Sequence, residues 1–281
     1  MKFLPAIALT VAAAFLGACH KTGAENPRLL VSDRDLTSIR VELRNNPVEL
    51  ERPVVVLAGL GDPGLGSADI AMTLARLTSG NIDDFVVFSS TAPANFQESA
   101  VELTELVNKQ LNDGNPAVET PEVDVVALSL GGVTARHATI PSVRWVRLDA
   151  NRMFTLAAPH TGANVSQHFG WVDETITDLK PGSPYLAWLD ENDPEDYELF
   201  PYAVKGDGVV GEEHTTPTDW EGEPLWVRGR TWGSHQFVHR DEMILTDIAL
   251  RLRGESPLFT GPVGSRVGSE TRTEEIETTS P

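Results

Sequence analysis

Four short runs of apolar, mostly β-branched residues constrain the fold of this 281-residue chain more than any other feature. They are PVVVLAG (53–59), DFVVFSS (84–90), VDVVALS (123–129) and MFTLAAP (153–159). Each run is continuous rather than alternating, as expected for a strand buried on both faces of a parallel sheet. Helical patterns lie between the runs, at 67–77, 95–111 and 131–140. This alternation predicts right-handed βαβ units, and therefore an α/β fold with a mostly parallel, doubly wound sheet.

The alternation of strands and helices breaks after residue 159. Residues 160–200 are irregular and rich in Gly, Pro, Asp and Trp, and we expect them to form a short cap. Two further strands are predicted at 201–207 and 224–230. A last helix is predicted at 241–252, with Asp241 as its N-cap.

The amino-terminal residues have the pattern of an exported lipoprotein. Lys2 precedes an apolar stretch that is too short for a lasting membrane span and that ends in Leu-Gly-Ala-Cys19. These four residues resemble a bacterial lipobox, in which the cysteine is acylated after cleavage. We therefore expect a lipoprotein signal peptide at 1–18 and a lipid on Cys19. The alternative is a plain signal peptide with a cysteine nearby.

The lipobox resemblance implies a lipid-anchored protein of the bacterial cell envelope. His20 follows the cysteine where an aspartate would favour inner-membrane retention, so the outer membrane is expected, facing the periplasm or the cell surface. Behind the anchor we expect a linker at 19–27 and one α/β domain at 28–254. Residues 255–281 have little apolar content and are predicted to be a disordered tail.

Charge and cysteine content exclude some classes of protein. The formal net charge is −19, which repels nucleic acid, so no nucleic-acid partner is expected. Cys19 is the single cysteine of the chain, so no intrachain disulfide can form. The core must therefore be stabilised by packing.

The third apolar run leads directly into a serine between small residues. The turn reads Ala127-Leu128-Ser129-Leu130-Gly131, with a predicted strand before it and a predicted helix after it. This is the context of a nucleophile elbow, in which a strained turn exposes the serine hydroxyl at the carboxyl edge of the sheet. The alternative is a serine that merely starts a helix. Alanine stands at the first position of the pattern, where glycine is usual.

Three further segments supply the partners that a nucleophilic serine needs. Glycines after the first strand let a loop turn back, and the N–H groups of Leu60 and Leu130 are the expected oxyanion-hole pair. Asp207 follows a predicted strand on a Gly-Asp-Gly turn and is the candidate acid. His235, in a loop before the last helix, is the candidate base, with His239 as its rival. Structural or solvated roles are expected for the other histidines: His20, His137, His160, His168 and His214.

The chain order serine, aspartate, histidine is that of α/β-hydrolases. Three segments are similar to bacterial triacylglycerol lipases and to GPI-inositol-deacylase-like proteins: SLGGVTAR (129–136), LAAPHTG (156–162) and LKPGSPYL (179–186). The resemblance covers roughly residues 53–252 and implies an α/β-hydrolase fold with a Ser129–His235–Asp207 triad. The sequence departs from the group at Ala127, and at Ala58-Gly59 where many relatives have His-Gly.

Taken together, these residues predict a carboxylic ester hydrolase, an esterase or lipase that works without a metal or organic cofactor. An ester or lipid would be the substrate. An acyltransferase with the same triad, a peptidase or amidase, and a non-catalytic lipoprotein that binds lipid or a partner are the alternatives. Aromatic and apolar residues of the cap either line an acyl pocket or cover the sheet. They are Phe169, Trp171, Tyr185, Leu186 and Trp188.

Overall fold

A single six-stranded sheet forms the centre of the molecule. The computed structural model describes residues 26–29, 31–89, 95–113, 119–166, 174–230 and 233–266. The strands of this sheet are β1 (Val54–Leu57), β2 (Phe85–Phe88), β3 (Val123–Leu128), β4 (Ala150–Leu156), β5 (Glu198–Val204) and β7 (Leu225–Val227). All five pairings within this sheet are parallel, and the strand order is β2-β1-β3-β4-β5-β7. The predicted doubly wound α/β fold is confirmed.

Helices cover both faces of the sheet. The α-helices of the described residues are α1 (Asp33–Asn45), α2 (Leu65–Leu77), α3 (Phe96–Leu111), α4 (Leu130–Thr139), α5 (Glu174–Asp178), α6 (Pro184–Asn192), α7 (Ser234–Phe237) and α8 (Glu242–Leu252). Of these, α1, α2 and α8 pack on one face and α3 and α4 on the other. The predicted N-cap of α8 is confirmed, because the Asp241 carboxylate accepts hydrogen bonds from the N–H groups of Met243 and Ile244. Helix α1 has no predicted counterpart, because only Leu36, Arg40 and Leu43 of its mostly polar sequence are buried.

The core has two layers, one on each face of the sheet. Successive strand residues point to opposite faces. Val54 and Val56 pack with α2 and α8, whereas Val55 and Leu57 pack with α3 and α4. Because both faces are covered, every residue of β1 and β3 is buried, which explains the continuous apolar runs.

The strands end before the apolar runs do. Strand β1 stops at Leu57 and β4 at Leu156, although the runs continue to residues 59 and 159. The extra residues leave the sheet at its carboxyl edge. Ligand-binding crevices form at this edge in open α/β sheets.

The prediction of disorder from residue 255 is wrong for residues 255–266. The Asp247 carboxylate accepts hydrogen bonds from the N–H groups of Leu258 and Phe259, at 2.6 and 3.1 Å. The Phe259 ring is buried against Tyr202, with 6.0 Å between the ring centroids. Two residues, β8 (Ser265–Arg266), then pair antiparallel with β6 (Trp220–Glu221). These few anchors order a segment whose composition alone favours disorder.

The cap contains more regular structure than its composition indicates. Helices α5 and α6 both lie within the segment 160–200, and β5 begins before it ends. Ser183 caps α6 by accepting a hydrogen bond from the N–H of Leu186, and Pro184 occupies the first helical position.

Within the described residues, no helix combines the length and apolar character that crossing a membrane requires.

Candidate active site

Ser129 lies in a strained turn between β3 and α4. Its φ and ψ angles are 51° and −122°, a region that is costly for any residue other than glycine. Its N–H donates to the carbonyl of Leu156, and its carbonyl accepts from the N–H of Gly132. These bonds hold the strained residue between β4 and the first turn of α4.

Small residues are required where α4 approaches the sheet. A Cβ atom on Gly131 would lie 2.7 Å from the carbonyl oxygen of Ala58, and one on Gly132 would lie 2.5 Å from Cβ of Ala158. Ala127, which replaces the usual glycine, is fully buried in the core with α3 and α4. A methyl group is therefore accommodated at that position of the turn.

His235 contacts both Ser129 and Asp207. The Ser129 Oγ lies 2.9 Å from Nε2 of His235, and Nδ1 of the same ring lies 2.7 Å from Oδ2 of Asp207. The carboxylate can only accept, so it favours the tautomer with the proton on Nδ1. Nε2 is then free to accept the serine proton. His239, the rival candidate, does not occupy this position and lies in the wall of the adjoining cavity.

Asp207 is held by its own turn. Its Oδ1 atom accepts hydrogen bonds from the N–H groups of Val209 and Val210, at 2.8 and 3.2 Å. Burial by itself raises the pKa of this carboxyl, but the charge of His235, its hydrogen bond and the two N–H groups outweigh burial. The pKa of Asp207 therefore lies below its ordinary value of 3.8, and the carboxylate stays ionised.

Leu60 and Leu130, the expected oxyanion-hole residues, both line the cavity at Ser129. Leu130 begins α4, where N–H groups have no acceptor within the helix. Leu60 lies in the loop that follows β1. This loop passes close to the serine, because a Cβ atom on Gly59 would lie 3.1 Å from Cβ of Ser129.

A cavity of about 400 Å³ opens beside Ser129 and His235. Apolar side chains from the cap and from the loop that carries Asp207 form much of its lining: Val165, Ile176, Leu179, Val209 and Val210. Of its charged residues, Asp62 accepts hydrogen bonds from four N–H groups and Arg240 is paired with Asp69. The cavity therefore suits an uncharged, apolar group.

The described cap residues that were candidates for an acyl pocket pack elsewhere. Tyr185, Leu186 and Trp188 do not line this cavity. The Tyr185 ring stacks on Phe96 at 4.6 Å, and its hydroxyl lies 3.0 Å from Nδ1 of His137. These three residues therefore pack with helices α3 and α4, and neither line this cavity nor cover the sheet directly. Phe169 and Trp171 lie outside the described residues, as does Cys19.

Other histidines have structural surroundings. His160 is fully buried, with Nε2 2.9 Å from the hydroxyl of Thr155. Burial, and then the neighbouring charge of Arg136, hold its pKa well below the ordinary value. His214 lies beside Thr161, with Nδ1 3.1 Å from the hydroxyl. His20 and His168 lie outside the described residues.

Sequence reasoning missed two parts of the site. Val209 and Val210 hold Asp207 through their N–H groups and line the cavity with their side chains. Asp62 organises the loop after β1. The available signals were an apolar pair directly after the Asp-Gly turn, and an Asp-Pro-Gly sequence before a helix.

Across the described residues, no group of three or more His, Cys, Asp or Glu side chains is placed to hold a metal ion.

Two solved structures of one lipase have a similar fold. The mature form of Bacillus licheniformis lipase BlEst2 superposes with a TM-score of 0.50 at 13% identity, covering 76% of this chain and 95% of that chain. The propeptide form gives 0.52 at 14% identity, over 78% of this chain and 54% of that one. The chain described here therefore has an α/β-hydrolase fold. The sequence matches no family model, and no curated protein matches it in sequence.

Proposed function

We propose that this protein is a serine hydrolase that cleaves carboxylic esters, an esterase or lipase. The observation that carries the proposal is the hydrogen-bonded chain from Ser129 through His235 to Asp207, whose serine and histidine line an apolar cavity. A strained serine turn, a correctly oriented base and a buried acid have a known joint use in acyl transfer. A binding protein has no need of all three together.

The first half of the reaction is acylation. His235 takes the proton of Ser129 through Nε2 as Oγ attacks the ester carbonyl. Asp207 keeps the ring in the required tautomer and stabilises the imidazolium that forms. The N–H groups of Leu60 and Leu130 donate to the oxyanion. His235 then returns the proton to the departing alcohol.

The second half is hydrolysis of the acyl-enzyme. His235 removes a proton from water, which attacks the acyl carbonyl, and the proton passes to Oγ of Ser129 as the carboxylic acid leaves. This scheme requires no metal or organic cofactor. The uncharged acyl chain occupies the cavity that is lined by Leu179 of the cap and by Val210 of the loop that carries Asp207.

A fluorophosphonate probe tests the assignment of the nucleophile. Wild-type protein should be labelled on Ser129, and Ser129→Ala should be neither labelled nor active on p-nitrophenyl esters. Ser142→Ala, three residues beyond the end of α4, is the matched control and should behave as wild type. Failure of the probe to label the wild type would instead favour a non-catalytic lipoprotein. Product analysis with an added alcohol separates hydrolysis from acyl transfer to that alcohol.

We also propose that the protein is anchored in the bacterial cell envelope through lipid on Cys19, at the outer membrane. The support is the lipobox resemblance of the four residues that end in Cys19. The full-length protein should fractionate with membranes, and Cys19→Ser should remove the lipid from the amino-terminal peptide detected by mass spectrometry. An unmodified Cys19 in the wild-type protein would contradict the anchor without affecting the proposed activity.

A further inference from the structure

We infer that Asp62 is a positioning residue for the oxyanion hole, because its carboxylate holds the loop that presents the N–H of Leu60. This inference rests on the proposed function and adds a residue to its machinery. Asp62 contacts no reacting atom in this scheme. It acts through the backbone of the loop between β1 and α2.

The Asp62 carboxylate is joined to the first turn of α2 by five hydrogen bonds. Its Oδ1 atom accepts from the N–H groups of Gly64, Leu65 and Gly66, at 3.0, 2.8 and 3.1 Å. Its Oδ2 atom accepts from Gly66 and Ser67, both at 3.1 Å. Gly64, the residue in the N-cap position, has no side chain that can do this. Asp62, two residues before Gly64, therefore accepts hydrogen bonds from the N–H groups at the start of α2 that have no acceptor within the helix.

The main chain of Asp62 is tied to two other parts of the site. Its N–H donates to the carbonyl of Gly59 at 3.2 Å, which closes a turn with Leu60 and Gly61 at its centre. Its carbonyl accepts from the Ser89 hydroxyl at 2.7 Å, just beyond β2. Leu60 thus lies inside a turn whose far end is bonded both to the start of α2 and to Ser89, the residue after β2.

The position of this turn is critical because it passes directly over the nucleophile. A Cβ atom on Gly59 would lie 3.1 Å from Cβ of Ser129 and 3.4 Å from the carbonyl oxygen of Leu128. Gly66, whose N–H binds both oxygens of Asp62, is also close-packed, since a Cβ atom there would lie 2.8 Å from Oδ2 of Asp62 and 3.4 Å from the Leu128 side chain. A displacement of about 1 Å in a positioning element can lower a rate about 100-fold. Removing the carboxylate frees the turn to move by such an amount.

Two variants of Asp62 give a graded test. Asp62→Ala removes all five hydrogen bonds, whereas Asp62→Asn keeps an oxygen for Gly64 and Leu65 but turns an NH2 group toward the N–H of Ser67. We expect kcat to fall by about 10- to 100-fold in Asp62→Ala and by less in Asp62→Asn, with KM changed by less than about threefold. Ser89→Ala, which frees the carbonyl of Asp62, should lower kcat by a smaller factor.

A boronic acid that forms a tetrahedral adduct on Ser129 provides the discriminating measurement. Its inhibition constant should rise in proportion to the loss of kcat/KM, because the adduct occupies the oxyanion hole. Fluorophosphonate titration should give an unchanged fraction of active protein. Ser32→Ala, which removes the N-cap of helix α1, is the matched control and should lower the melting temperature without changing kcat.

Each outcome bears on the inference separately from the proposed function. Unchanged kcat in both Asp62 variants would overturn it, as would a loss of active fraction with normal kinetics in the remaining molecules. If Asp62→Ala does not fold, Asp62→Asn and Ser89→Ala carry the same test. A wild-type protein that neither hydrolyses esters nor reacts with the probe would refute the proposed function itself.

Discussion

Nδ1 of His235 lies 2.7 Å from Oδ2 of Asp207, although the two residues belong to different segments of the chain. Asp207 lies in the loop after β5, whereas His235 lies in the short helix α7 and not in a loop as predicted. The fold brings the two segments together beside the turn that carries Ser129. The backbone of Val209 and Val210 holds the other carboxylate oxygen, so the acid cannot rotate away from the ring without breaking two further hydrogen bonds.

We expect Asp207→Asn to lower kcat by about 10⁴-fold, because an amide can hold the ring in the wrong tautomer. The side-chain oxygen could still accept from Val209 and Val210, so folding should be retained. Steady-state kinetics and thermal unfolding would be measured together. Asp33→Asn, at the exposed start of α1, controls for the loss of one negative charge and should have normal kcat. Activity within tenfold of wild type would argue against Asp207 as the acid.

Replacing Leu179 with tryptophan should shorten the range of acyl chains accepted. Leu179 belongs to the cap and lines the cavity, so a larger ring reduces the space for an acyl chain. The ratio of kcat/KM for p-nitrophenyl octanoate to that for the acetate should fall by at least about tenfold. Trp188→Phe changes a cap residue outside the cavity and should leave the ratio unchanged. An unchanged ratio in Leu179→Trp would place the acyl chain elsewhere.

Gly132→Ala should destabilise the protein by about 1–3 kcal/mol through overpacking. The new methyl group would meet Cβ of Ala158 at 2.5 Å and Cγ2 of Thr155 at 3.2 Å. Ala158→Gly removes the Cβ atom that the new methyl group would meet. The double variant Gly132→Ala/Ala158→Gly should therefore regain part of the lost free energy of unfolding. Urea unfolding of the four proteins gives the coupling free energy. Strictly additive losses would show that the two positions do not share this contact.

Stability should decrease as the pH falls from about 6.5 to about 4, in part through His137. Burial lowers the pKa of this imidazole from 6.5 to about 4, so in that window the unfolded chain binds a proton that the folded chain does not. The full shift corresponds to about 3 kcal/mol of unfolding free energy. His137→Phe, which cannot be protonated, should flatten the dependence of unfolding free energy on pH. An equal dependence of unfolding free energy on pH in the wild type and in His137→Phe would contradict this role of His137.

Much of the fold follows from patterns within short stretches of sequence. Continuous apolar runs such as Val54–Leu57 mark strands covered on both faces, and their alternation with helical patterns predicts a parallel sheet. The small residues around Ser129 and the capping role of Asp241 are also local, because each depends on atoms a few residues away. Helix α1 escaped prediction because few of its residues are apolar.

Other features depend on contacts between distant parts of the chain. The sequence favours His235 over His239 as the base by its position before the last helix, but only the structure shows which of the two rings lies next to Asp207. Tyr185 packs on Phe96, 89 positions earlier in the chain, rather than in the cavity.

The sequence by itself therefore determined the strands, most of the helices and the residue types available for chemistry, since these follow from periodicity and capping. Tertiary structure alone decided which of those residues meet, where the cavity lies, and that Asp247 binds the N–H groups of Leu258 and Phe259. The physical reason is that secondary structure arises from neighbours in sequence, whereas a site arises where the carboxyl ends of separate strands converge.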